Sequence, residues 1–559
     1  MMNTDGIGSN RGPWAWAAMA VLVTAASVGP YLQGASYPFL HDDRWAVVAN
    51  PLVQETPDIP RILMSDAWGG SIEHGHIVNY RPLSVLTLSI TRELAGPDPF
   101  PYRVTNILLH AACTLLLLVL MARLGLGPLA AGAAGLWFAV HPVHVETVAF
   151  AVNREEMLAQ IFFLLVMLQL VRHTRIAAQA PPRPWSPAEL LLLAFLAACG
   201  FMSKETAVVT PVVFVIAAVA WASPGKRRWA IAPATILALV TMSYLALRRI
   251  ALGRVSARHI PWQDNPLVRS DGLDRIAGAF EVLWESARLL AVPDRLTVDY
   301  GFDVLGIPSG GISLRAILGL SVAAAATILA LVAARRAPVV SLGILIAAAS
   351  YGLVSHFAFP GSILMAERLL MLPSTGIAIA LGACVQALPR HGLRHFATAS
   401  LALLALSLLP ATLERASDHR SAEALFASSI ANRPGSTRLL NNLGVEYLDA
   451  GRFAEAEPMF AKALAIDAKN AEAHNNMGMV QERMGQPGKA FASFMQALEI
   501  RPGMPTALGN LCLHLARKGD FDRARVACDY AVKRGAPVRE VLEQLPEPGP
   551  TTPDSTPEQ

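Results

Sequence analysis

Along the chain, apolar residues gather in eleven long runs, at about 14–32, 103–123, 127–141, 156–172, 187–203, 206–222, 229–250, 312–334, 338–359, 368–388 and 395–413. About 20 consecutive apolar residues cross a bilayer core as a helix, so each run predicts a membrane-spanning helix. Two further stretches, about 83–95 and 273–292, are apolar but interrupted by charge: Arg92 and Glu93 in the first, Arg275, Glu281, Glu285 and Arg288 in the second. These predict helices lying at the membrane interface. The run from Trp14 to Tyr31, preceded by Arg11, is long for a signal peptide and more apolar runs follow it. It reads as an uncleaved signal anchor.

Past residue 413 the pattern turns polar and alanine-rich, with a 34-residue period. Leu443-Gly444 recurs as Met477-Gly478 and Leu511-Cys512, and Gly451, Gly485 and Gly519 mark the turn within each unit. Ala456, Ala490 and Ala524 repeat, as do Phe460, Phe494 and Cys528, then Ala463, Ala497 and Ala531. Small residues recur where two helices must approach closely, and the pattern resembles tetratricopeptide repeats (TPRs). The expected organisation is a polytopic membrane domain over 1–413, a linker over 414–436, three TPRs over 437–538 and a disordered tail over 539–559. The fold class is all-α: a membrane helical bundle of about 11 spans followed by a TPR α-solenoid. In the third repeat Cys512 and Cys528 face each other across the helix pair, as two core thiols or as a disulfide; a disulfide would suit an oxidising compartment.

Composition agrees with the pattern. Of 559 residues 53% are hydrophobic and 16% charged, against about 25% charged in soluble domains. Net charge is only +4, and the basic residues form short clusters between apolar runs, which is a topology signal rather than a nucleic-acid surface. The connections holding Arg172/Arg175/Arg183, Lys226/Arg227/Arg228, Arg335/Arg336 and Arg390/Arg394 all fall on one side of an eleven-span chain, which the positive-inside rule makes cytoplasmic. The loop after the first run, the 141–155, 251–311 and 360–367 connections and the TPRs are then outside.

Polar motifs gather at those external ends. His41-Asp42-Asp43-Arg44 holds adjacent carboxylates just beyond the first run. Asn79-Tyr80-Arg81-Pro82, His141-Pro142-Val143-His144-Val145-Glu146, Asn153-Arg154-Glu155-Glu156, Ser203-Lys204-Glu205, Pro293-Asp294-Arg295 and Ala366-Glu367-Arg368 sit at the ends of other runs. Singly, each has an ordinary reading: a solvated acid pair, a charge pair at a helix end, an arginine that snorkels. His141, His144 and Glu146 are metal-ligand types, but their spacing matches no zinc pattern, and no metal or other cofactor is expected. Together they bring acids and bases to one membrane face, where ionisable groups are functional by default.

In order, HDDRWAVVANP, NYRPLSVLTLSI, PYRVTNILLH, HPVHVETVAFAVNREEMLA, FMSKETAVVTP, DNPLV, PDRLTVDY and AERLLMLPS, followed by TPRs, resemble the transmembrane and TPR-containing (TMTC-type) protein O-mannosyltransferases and their bacterial relatives, within the GT-C glycosyltransferases. The resemblance covers roughly residues 12–540. It implies an integral-membrane transferase that uses a polyprenyl-phosphate-linked sugar as co-substrate and an exported protein as acceptor, with the TPRs recruiting the latter. By the match to the family's acidic loop, Asp42 or Asp43 would be the catalytic carboxylate, and a hydroxyl acceptor does need a general base. Arg368, and less directly Arg154 and Lys204, would bind the lipid phosphate; Glu146, His141, His144, Tyr80 and Arg81 would position donor or acceptor. AERLLMLPS departs from the family by lacking a tyrosine soon after Glu-Arg. The alanine-rich composition suggests a bacterial inner membrane and an undecaprenyl-type donor; in a eukaryote the membrane would be that of the ER, with lumenal TPRs. The same chemistry on a glycolipid or cell-wall polymer, and a non-enzymatic membrane-anchored TPR scaffold, are the alternatives.

Overall fold

A computed structural model describes residues 12–69, 79–174, 184–221, 229–253, 260, 265–301, 305 and 311–546. The chain divides into two units, Met1–Leu425 and Phe426–Gln559, and the described regular structure is helical throughout. The basic connections around 175–183 and 222–228, Arg254 and Arg258, and the end of the tail from 547 lie outside the described residues.

Every apolar run of the first unit is a helix. In chain order these are α1 (Pro13–Val28), α3 (Pro99–Arg123), α4 (Pro128–Ala139), α5 (Arg154–Thr174), α6 (Pro187–Ser203), α7 (Val209–Trp221), α8 (Ile231–Leu252), α10 (Leu314–Arg336), α11 (Pro338–Gly352), α12 (Met371–Ala387) and α13 (His391–Asp418). The two charge-interrupted stretches are also helical, as α2 (Pro82–Ala95) and α9 (Gly272–Ala291). Many begin with proline in the first turn, where the missing N–H has no partner to lose. The start of α6 adds a reciprocal cap between Ser186 and Glu189.

Length separates these helices. Seven are long and apolar enough to cross a bilayer, counting the 3₁₀ turns that extend α1 and precede α12; α4, α6, α7 and α11 are shorter. With 12 residues, α4 reaches about 18 Å, less than a hydrocarbon core of roughly 30 Å. The chain is a multi-pass integral membrane protein, with seven helices of spanning length among the described residues.

Packing places α3, α4, α5 and α12 inside the bundle, where Leu117, Phe138, Phe163 and Ile379 are buried in one cluster. By contrast α10 exposes Leu320, Ile328 and Leu331, as a lipid-facing helix does. Between α11 and α12 the backbones nearly touch: a Cβ on Gly343 would stand 2.6 Å from the Gly376 carbonyl, and one on Gly376 would strike the backbone at Ala347. Small residues allow such contact in a membrane, where association relies on close packing rather than on the hydrophobic effect. Three of the charges of α9 find partners within the protein: Ser313 Oγ donates to Glu281 at 2.5 Å, and Arg288 pairs with Glu285 at 2.9 Å.

The second unit contains three helix pairs: α14 (Thr437–Asp449) with α15 (Phe453–Ile466), α16 (Ala471–Arg483) with α17 (Pro487–Ile500), and α18 (Pro505–Arg517) with α19 (Phe521–Lys533). Gly451, Gly485 and Gly519 turn each pair with φ of 73°, 72° and 78°, a region open to glycine and strained for most residues. A Cβ on Gly444 or Gly478 would lie 2.7 Å from the ring of Phe460 or Phe494, which explains the recurring small residue. At the same position in the third pair, Cys512 and Cys528 form a disulfide. The stretch 414–436, read as a linker, is largely helical: α13 continues to Asp418 and another helix covers Ala422–Asn432. The tail begins later than 539, because α20 (Arg539–Gln544) follows the third pair and Leu545 joins its core.

Candidate active site

After α1 the chain makes a 3₁₀ turn (Gly29–Gly34) and reaches His41, Asp42 and Asp43 before a π-helical turn over Arg44–Val48. Asn50 closes the motif by capping the next turn through Leu52 N (3.0 Å) and donating to the Ala67 carbonyl at 2.9 Å. The two aspartates then diverge. Asp43 is fully buried: its carboxylate accepts from Val152 N at 3.0 Å and lies 3.2 Å from the Arg103 guanidinium, which also donates to the Pro38 carbonyl at 2.6 Å. Burial pushes the Asp43 carboxyl up in pKa, against the pull of Arg103. Asp42 is 32% exposed and lies 2.8 Å from His41 Nδ1. One acid anchors the loop and its neighbour faces the outside.

Glu146 belongs to the short helix Val145–Ala149 and meets Arg368 directly: it accepts from Arg368 N at 3.0 Å and pairs with the guanidinium. Arg368 keeps 20% of its side chain exposed and stands within electrostatic range of Asp42. The adjacent Glu367 is buried and accepts from Thr297 N (2.7 Å), the Tyr300 hydroxyl (3.0 Å) and Arg415 (3.3 Å). Thr297 and Tyr300 come from PDRLTVDY and Arg415 from the end of α13, so Glu367 fixes the backbone that carries Arg368.

The other basic candidates are committed elsewhere. Arg81 pairs with Glu155 at 2.6 Å and Glu205 at 2.7 Å, and Lys204 pairs with Glu155 at 3.0 Å and with Glu156. Arg154 is fully buried, donates to the Thr87 carbonyl and Thr91 Oγ1 at 3.0 Å each, and lies over the Tyr102 ring. Tyr80 is buried and donates its hydroxyl to the Leu63 carbonyl at 2.9 Å. His141 and His144 are buried too: His141 Nε2 donates to the Leu290 carbonyl at 3.1 Å, and His144 Nδ1 donates to the Phe138 carbonyl at 2.8 Å, with Ser374 Oγ 2.9 Å from its Nε2. Burial lowers the His141 pKa to about 4 and that of His144 well below the ordinary value, so both rings are neutral. Among the described residues no group of three or more His, Cys, Asp or Glu side chains could hold a metal ion.

Of the residues singled out in the sequence, Asp42, Asp43, Glu146 and Arg368 thus come to one place. Arg103 and Arg415 were not singled out. Each is a cation at the end of a long apolar helix, and Arg103 also stands in the PYRVTNILLH motif.

Residues 81–246 match the family described as dolichyl-phosphate-mannose-protein mannosyltransferase, and residues 436–502 match the tetratricopeptide repeat. The protein O-mannosyl-transferase TMTC1 of Mus musculus is 38% identical over 201 residues, covering 34% of this chain and 21% of its own length. Tmtc2 of Drosophila melanogaster is 32% identical over 281 residues (49% and 29%), and TMTC3 of Mus musculus is 26% identical over 433 (73% and 46%). The chain therefore spans between about a fifth and a half of these relatives' length. Among solved structures, Pseudomonas aeruginosa pilF aligns at 19% identity and a TM-score of 0.19, over 28% of this chain and 67% of that one.

A helical multi-pass membrane bundle with an acid pair at a helix end, joined in one chain to a TPR solenoid, defines the class of protein. Within that class the chain is similar to the TMTC-type protein O-mannosyl-transferases, over part of their length.

Proposed function

We propose that this chain is an integral-membrane glycosyltransferase that moves a hexose such as mannose from a polyprenyl-phosphate carrier to a hydroxyl of an exported protein, on the external face of the membrane. Asp42 is the general base. Its carboxylate takes the proton of the acceptor hydroxyl as that oxygen bonds to the anomeric carbon. The bond from that carbon to the lipid phosphate breaks, and the electron pair leaves on the phosphate. Arg368 stabilises the charge that develops there, as a fork suited to phosphate oxygens. Glu146 holds Arg368 in place, and Asp43 with Arg103 fixes the loop that presents Asp42. The TPRs recruit the acceptor, since such stacks offer concave surfaces to extended segments. The Cys512–Cys528 disulfide favours an oxidising, extracytoplasmic side for the repeats.

The observation that carries this reading is the partly exposed Asp42 within electrostatic range of the partly exposed Arg368. The test is sugar transfer in membranes of cells lacking the protein, supplied with the wild-type chain or with Asp42→Asn. Exported proteins and lipids are searched by mass spectrometry for a lost hexose. Loss in the variant at unchanged expression supports the transferase, and the molecule that loses the sugar gives the acceptor class. Unaltered glycosylation in both the deletion and the variant would move the assignment to a membrane-anchored scaffold.

A further inference from the structure

His41 precedes the proposed base and holds a left-handed backbone, with φ of 46°. Among the described non-glycine residues it shares this with His356 alone. Residues held in such regions are strained, and the strain is informative where the side chain it directs does chemistry. At His356 the imidazole is used structurally: its Nε2 donates to the Leu364 carbonyl at 2.6 Å, and its Nδ1 accepts from Gly361 N at 3.0 Å. At His41 the same backbone turn brings the ring back onto the next residue, with Nδ1 2.8 Å from Asp42 Oδ1. Phe150 packs against the imidazole, its centroid 6.2 Å away, and is itself set edge-on to His419 at 5.2 Å. The ring is walled on the protein side and only 30% exposed.

An ionised carboxylate has no hydrogen to give, so the hydrogen in this contact belongs to Nδ1. Donation to one carboxylate oxygen favours the ionised form and limits the torsions of the side chain. We propose that His41 is a positioning residue whose Nδ1–H holds the Asp42 carboxylate ionised and oriented for taking the acceptor proton. This rests on Asp42 being the base.

The backbone turn and the hydrogen-bond donor can be separated by substitution. Glycine accepts a positive φ without strain but has no donor. Asparagine is also at home there and presents an amide N–H. Sugar transfer is measured in membranes with a mannosyl-phosphoryl polyprenol as probe, giving kcat and KM for that donor. His41→Asn is expected to stay within about threefold of wild type, and His41→Gly to lose roughly tenfold to a hundredfold in kcat at unchanged KM. Thermal midpoint in detergent is followed alongside; if the glycine variant fails to accumulate, His41→Asp, tolerant of the turn but an acceptor only, gives the same readout. Wild-type kcat in the donor-less variant, or equal losses in it and in His41→Asn, overturns the assignment while Asp42→Asn remains inactive. An active Asp42→Asn would instead overturn the reading of the base itself.

Discussion

Two ionic assemblies at helix ends use the same residue types to opposite effect. Around Lys204, two cations and three carboxylates are interlocked, and Lys204, Glu155 and Glu156 are all nearly inaccessible. Around Arg368, one cation pairs with the single carboxylate of Glu146, keeps a fifth of its side chain exposed and feels Asp42 and, from the first assembly, Glu156 at longer range. A cation that must receive a phosphate needs spare hydrogen-bonding capacity and a route to it. A cation enclosed by carboxylates has neither and contributes to the shape of the bundle instead. Charge type alone does not separate the two; partner number and exposure do.

The comparison can be tested at its firmest point first. Lys204→Met leaves Glu155 and Glu156 buried without their shared cation, and removing one partner of a buried ionic group costs about 3–5 kcal/mol. The expected result is a large fall in thermal midpoint in detergent, with kcat per folded molecule preserved; a stable but inactive variant would move the phosphate site to this assembly. Next in size, Arg368→Ala should lower kcat by about 10²–10³-fold, the usual cost of losing one donor to a developing anion. Arg368→Lys should recover part of that loss, because charge returns without the fork. Full activity in the alanine variant would erase the distinction between the assemblies.

The smallest effect concerns the neutral imidazole of His141, on the same loop as Glu146. Its pKa is lowered from 6.5 to about 4, so below pH 6.5 the unfolded chain takes up a proton that the folded chain refuses. Stability should fall as pH drops from 6.5 toward about 4, by roughly 1.4 kcal/mol for each pH unit in that window. Thermal midpoints at two pH values read this slope, and His141→Gln should reduce it.

Much of this arrangement was legible in the sequence because it is written locally. Apolar runs gave the eleven helices, turn glycines gave the repeats, and a histidine with two acids after the first run pointed to the loop that carries Asp42. What was not legible depends on distant partners. Asp42 and Asp43 are neighbours, and only Arg103, sixty residues on, together with Val152 N, decides which of them is enclosed. Arg154, Lys204 and Arg368 are alike as flanking cations until the Thr87, Glu155 and Glu146 that meet them are known. Helix length was equally hidden: Pro128–Ala139 lies in a fully apolar stretch, but its helix stops just before His141-Pro142.

The three helix pairs of the solenoid are also unequal links in a mechanical sense. Where Phe460 rests on Gly444 and Phe494 on Gly478, the helices are held by a ring lying on a backbone, a contact that separates once a small displacement is exceeded. In the third pair, Cys512 and Cys528, 16 positions apart, close a covalent loop that no stretching can open. Under load the first two pairs can slide apart while the third keeps its two helices tethered, so an array of otherwise interchangeable units has one fixed point, at α18 and α19.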